Sequence, residues 1–156
     1  MLVQLNRRSE DRDFSVTGTD LPLNPASLPV GAGPRPVVAV LGSAGRVHGL
    51  AQHLPAGWSV RFAGDIDDVS PDELLLFAGA AVRDIALARR LLPGRTQMIA
   101  LVDDAAPAEI VAAVLTAGAD ACVRGGQPAI LASHLVACRR RLMAGRWAQV
   151  NQQDRR

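Results

Sequence analysis

From Pro36 onward the chain alternates short apolar runs with stretches whose apolar residues recur at helical spacing, and this leaves few folds open. The first run, Val37-Val-Ala-Val-Leu41, is continuous and ends at Gly42, as expected of a strand covered on both faces. Val47, Leu50, Ala51 and Leu54 then recur at offsets 0, 3, 4 and 7, a helical stripe stopped by Pro55-Ala-Gly57. Four more strands are expected at Trp58–Ala63, Glu73–Ala78, Gln97–Val102 and Ala121–Arg124. Helices are expected over Val82–Leu92, from Asp103 or Asp104 to Gly118 with Pro107 in the first turn, and from Pro128 onward. Asp65–Asp72 is too short and polar for more than a single helical turn. Strands alternating with helices predict a parallel sheet with helices on both sides. Right-handed crossovers favour the α/β, flavodoxin-like three-layer sandwich, with five strands in the order 2-1-3-4-5.

The repeating pattern occupies residues 36–148. Before it, residues 1–35 hold Pro22, Pro25, Pro29 and Pro34 with several glycines, which predicts an extended leader rather than a helix. After it, residues 149–156 read as a basic polar tail. No apolar run nears the roughly 20 residues that span a bilayer, and Met1–Asp13 is too charged for a secretory signal. A cytoplasmic protein without a membrane role is expected. Cys122 and Cys138 make neither a disulfide framework nor a zinc site, and read as small buried hydrophobes. His48, His53 and His134 are too scattered for a ligand set, so no metal is expected.

The stretch Ile110-Val-Ala-Ala-Val-Leu-Thr-Ala-Gly118-Ala119-Asp120-Ala-Cys-Val, with the strand Ile99–Val102 before it and an amphipathic helix ending Arg139-Arg-Arg141 after it, resembles the last third of response-regulator receiver domains. The resemblance covers residues 36–147 as a pattern and is specific over about 97–142. It implies a two-component signalling fold whose phosphoryl chemistry needs an acceptor aspartate, an acidic pair for Mg²⁺, and a lysine. All 17 Lys-plus-Arg residues of this chain are arginine. Gly42-Ser43 stands at the acidic pair, Phe77 (or Ala78, one register on) at the acceptor, Val102 at the Thr/Ser position, and Arg124-Gly125 at Lys-Pro. A hard cation needs oxygen ligands at about 2.0–2.1 Å, and these side chains supply almost none. The chain therefore reads as a degenerate pseudo-receiver.

Two other clusters carry alternative readings. Gly42-Ser-Ala-Gly45-Arg46 lies where a doubly wound sheet takes phosphate, but it is neither a P-loop nor a complete Gly-x-Gly-x-x-Gly. It is either a tight turn with Ser43 capping the next helix or a weak anion site built on Ser43 and Arg46. Of Asp103-Asp104, one is expected to cap the following helix and the other to favour its dipole. Residues 139–156 carry six arginines against one aspartate, read either as cations at a helix C-terminus or as a contact for an acidic partner. Such a segment gives no base-specific DNA readout.

No residue set suits acid–base or nucleophilic catalysis, so neither an enzyme nor a cofactor is expected. The resemblance implies regulation by contact with a protein partner or a second copy. The implied face is that of the penultimate helix, fifth strand and last helix, including Glu109, Ala113, Arg124 and Arg140. A nucleotide or phosphate sensor using the Gly42–Arg46 turn is the alternative.

Overall fold

A computed structural model describes residues 34–79 and 81–153. The expectations for residues 1–33 and 154–156 fall outside the described residues. Five strands form one parallel sheet: β1 (Val37–Gly42), β2 (Ser59–Phe62), β3 (Leu74–Ala78), β4 (Met98–Val102) and β5 (Ala121–Arg124). Their order is β2-β1-β3-β4-β5, the flavodoxin-like arrangement expected from the alternating pattern. The helices are α1 (Leu50–His53), α2 (Val82–Leu91), α3 (Ala108–Thr116) and α4 (Pro128–Gln153).

Strand side chains alternate between two cores, because successive Cβ atoms leave opposite faces of a pleated sheet. Val38, Val40, Leu74, Leu76, Ile99 and Leu101 pack against Leu50 of α1 and Leu131, Leu135 and Cys138 of α4. Ala39, Leu75, Phe77, Met98 and Ala100 pack against Ile85 and Ala88 of α2 and Val114 of α3. The continuous apolar runs thus follow from burial on both faces. Burying one such Leu or Phe is worth about 1.5–3 kcal/mol.

The first helical segment differs from the sequence reading, and the segment between β2 and β3 agrees with it. The first helix is broken: a 3-10 turn at Ala44–Val47 is followed, after His48-Gly49, by only four residues of α1. Val47, Leu50 and Leu54 still reach the core, whereas Ala51, the fourth member of the expected stripe, is exposed and the helix is not continuous. Between β2 and β3 stands a single 3-10 turn, Ile66–Asp68, as the short, polar segment led one to expect. Its Ile66 and Val69 are both buried, which the acidic character of the segment concealed. Arg61 reaches beneath that turn, donating to Glu73 Oε1 at 2.8 Å and Oε2 at 2.5 Å and to the Asp68 carbonyl at 2.5 Å.

The last helix runs further than expected. From Pro128 to the last residue buried in the domain, Arg139, α4 covers about 17 Å at 1.5 Å per residue. That is the length of a five-residue strand at about 3.3 Å per residue. Its remaining turns, through Gln153, continue past the amino edge of the sheet and across the boundary drawn at residue 148. Arg139, Arg140 and Arg141 therefore sit in mid-helix, and the last turn carries no basic residue. The dipole account of these cations is withdrawn, since that effect fades beyond the terminal turn.

Candidate functional site at the carboxyl edge of the sheet

Parallel strands bring all their carboxyl ends to one edge, where ligands meet doubly wound sheets. The register aligns Gly42, Ala78, Leu101 and Val123 in one row across β1, β3, β4 and β5, with Arg124 beside Val102. Gly42, Ser43, Val102, Arg124 and Gly125 are thus gathered at this rim. Phe77 lies one row lower, beside Leu41 and Ala100, 2% exposed and packed in the core that faces α2 and α3. Of the two registers left open for the acceptor position, Ala78 is the one that ends the strand at the rim, and Phe77 lies beneath it in the core.

Backbone bonds close the rim. Ser43 N–H donates to the Ala78 carbonyl at 3.0 Å, Gly79 N–H to Leu101 at 3.2 Å and Gly125 N–H to Val102 at 3.1 Å. Gly42 is required there: its φ is +111°, and a Cβ would stand 2.5 Å from the Ala78 carbonyl oxygen. Across this edge Arg46 Nη2 donates to Asp103 Oδ1 at 2.5 Å, joining the β1 and β4 turns. The pair borders a shallow depression of about 270 Å³, also lined by Val102, Asp104, Gly125 and Gly126.

Nothing in the residue types announced this ion pair, since 57 positions separate its members. It replaces the expected cap: α3 begins after Pro107 with no side-chain cap, and the Asp103 backbone carbonyl accepts from Ala106 at 3.0 Å. Ser43 makes no side-chain capping bond either. For an anion the site is poorly furnished. The Ser43 and Arg46 N–H groups are bonded to carbonyls, the Arg46 guanidinium holds Asp103, and the 3-10 turn that follows is only four residues long. A phosphate cradle needs free N–H groups at the start of a sustained helix.

Asp65 and Asp84 border a neighbouring hollow of about 540 Å³ above Phe77. Each serves its own turn. Asp65 Oδ1 accepts from Ile66 N–H at 2.6 Å, and Asp84 Oδ2 from Ala81 N–H at 3.1 Å. Among the described residues, no group of three or more His, Cys, Asp or Glu side chains is placed to hold a metal ion. Burial pushes the Cys122 thiol up, against the lowering field of Arg124, so it stays protonated and poorly nucleophilic.

The four residues expected on an interaction face are spread along it. Glu109 and Ala113 are in the first turns of α3, and Arg124 ends β5, an outer strand of the sheet. Arg140 lies about 18 Å along α4 from Pro128, toward the opposite edge. Glu109, Arg124 and Arg140 are exposed and Ala113 is half-buried. Ile110 and Leu115 on α3 are 42% and 43% exposed, two large apolar side chains left partly in water.

Gly118-Ala-Asp120, the motif that carried the family resemblance, has a structural task at the amino edge. Arg89 of α2 donates to the Gly118 carbonyl through Nε (3.0 Å) and Nη2 (2.6 Å), to the Thr96 carbonyl (3.1 Å) and to Asp120 Oδ2 (2.9 Å). Asp120 Oδ2 also accepts from Met98 N–H at 2.7 Å. Gly118 has φ +119°, and a Cβ there would press within 3.0 Å of the Arg89 side chain. The motif thus fastens α2, α3, β4 and β5 together.

No protein-family model matches the chain, and no curated protein sequence matches it. Among the described residues no helix is long and apolar enough to cross a membrane.

Proposed function

We propose that this chain is a receiver-like regulatory protein that has lost phosphoryl transfer and acts by contact with another protein or a second copy of itself. One observation carries the reading: the edge where a receiver would assemble its metal and acyl phosphate is occupied by Gly42, Ala78 and Val102, spanned by the Arg46–Asp103 ion pair. A guanidinium held there by Asp103 leaves that carboxylate engaged rather than free for a divalent cation. The contact surface is the side formed by α3, β5 and α4. β5 ends the sheet there, and α3 carries the exposed apolar side chains Ile110 and Leu115. Without phosphorylation, switching requires a partner that binds two states unequally.

The test has two readouts. Incubation with acetyl phosphate and Mg²⁺, followed by intact-mass measurement, should leave the mass unchanged, and beryllofluoride should leave Tm unchanged. A stoichiometric acyl phosphate overturns the loss of chemistry. Sedimentation of wild type and Ile110→Glu should show association in the first and its loss in the second. Identical behaviour as a monomer at all concentrations, together with unaltered partner capture by Ile110→Glu, overturns the contact surface.

A further inference from the structure

Another hollow lies at the opposite, amino edge of the sheet, where the α4 overshoot meets the segments entering β3, β4 and β5. It measures about 730 Å³, and Asp72, Arg95, Gln97, Asp120, Arg141 and Arg146 line it. This is within the usual range of small-ligand sites, about 300–1,000 Å³.

Its charges do not cancel. Asp120 is held by Arg89, and Asp72 by an ion pair with Arg146. Arg95 and Arg141 have no carboxylate within ion-pair distance among the described residues. Among the described residues Arg141 donates to the Cys138 sulfur alone, at 3.1 Å. Behind them Arg139 is 8% exposed, with one hydrogen bond, to the Asp72 carbonyl at 3.1 Å. Burial and then repulsion from Arg146 lower the Arg139 pKa, with Asp72 opposing them. A buried guanidinium beside a second cation is costly, and further anionic charge in the cleft would relieve it. Helix-terminal electrostatics does not account for the arginines of α4, which stand in its middle, and one carboxylate, Asp72, is shared among Arg95, Arg139 and Arg146.

We propose that this amino-edge cleft binds a small anion bearing a pyrophosphate group. Arg95 comes from the α2–β4 connection and Arg141 from α4, so two guanidinium forks enter the cleft from separate elements. Each can grip one phosphate in the two-pronged manner that arginine favours. Gln97, also on the wall, supplies neutral hydrogen bonds. The cleft is independent of the carboxyl edge, so this inference stands or falls apart from the function proposed above.

The full chain should be titrated with inorganic pyrophosphate, orthophosphate and ADP while Tm is followed. At about ten times its Kd, pyrophosphate should raise Tm by roughly 4–6 °C. Orthophosphate should bind at least about tenfold more weakly, having one group for two forks. The double substitution Arg95→Gln/Arg141→Gln should abolish the shift, and Arg46→Gln at the other edge should preserve it. ADP matching pyrophosphate identifies a nucleotide as the source of the group, and ADP inactivity identifies the free inorganic ion. The proposal is overturned by the absence of a shift at ~10 mM pyrophosphate, by an equal shift from potassium chloride at matched ionic strength, or by survival of the shift in the double variant.

Discussion

The two edges of the sheet use arginine in opposite ways. At the carboxyl edge one guanidinium, Arg46, meets one well-exposed carboxylate across a shallow rim. At the amino edge Arg89 and Arg139 are drawn into the protein and bonded mainly to backbone carbonyls, with further arginines above them. The first is a surface ion pair, and the second is structural cement beneath a positively charged cleft. Stability is therefore expected to depend on the amino edge, leaving the carboxyl edge open to change at little energetic cost.

Removing Arg89 tests that asymmetry most severely. Arg89→Ala leaves the carbonyls of Gly118 and Thr96 without their guanidinium donor, and Asp120 without a counter-charge. Breaking such a part-buried charged network costs about 3–5 kcal/mol. Urea unfolding should show a fall of that size with an unchanged m-value, and a loss below about 1 kcal/mol, the level of a surface pair, would erase the contrast between the edges.

Gly42→Ala probes the carboxyl edge where it is stiff. A positive φ and a backbone oxygen 2.5 Å from the new Cβ cannot both be relieved by side-chain motion. The expected cost is about 2–3 kcal/mol, set by backbone strain rather than by lost bonds. A variant as stable as wild type would show that the rim is looser than its hydrogen bonds indicate.

An intermediate effect belongs to Glu73. The Arg61 guanidinium bonded to it, aided by Ser70 N–H, holds its carboxyl below the usual range against the opposing effect of burial. A depressed carboxylate pKa stabilises the folded state above the unfolded value, and that contribution is lost as pH falls through the folded value. Acidification below about pH 4 should weaken the wild type more than Glu73→Gln. At pH 7 the substitution should cost about 1–2 kcal/mol. Parallel pH profiles for the two proteins would show that another carboxylate governs acid stability.

The fold was legible because the sheet is buried on both faces: Leu74-Leu-Leu-Phe77 and Met98-Ile-Ala-Leu-Val102 leave no polar side for solvent. What escaped the sequence were contacts between distant positions. Arg46–Asp103, Arg89–Asp120 and Arg146–Asp72 join residues far apart in the chain, and an arginine's composition says nothing about which carboxylate it meets. Asp103 looked like a cap because caps are local, and a tertiary partner took it instead. On α3, Ile110, Val114 and Leu115 are all apolar, yet the helix buries Val114 and leaves the other two partly in water. Periodicity reports amphipathicity, not how much of the apolar stripe the neighbouring elements cover.

The smallest effect is expected where a receiver would be most sensitive. In a double-mutant cycle of Arg46→Ala and Asp103→Ala, the coupling should be about 0.2–1 kcal/mol, because both side chains are more than a third exposed. It should shrink further as salt rises, since screening acts on exposed charges first. A coupling of about 3 kcal/mol, the scale of a buried pair, would mean the rim is closed over in solution and that Arg46 fills a built site. A coupling near zero would mean the two turns are free to part, and the depression beside Gly125 would then be accessible to a ligand without breaking anything of value to the fold.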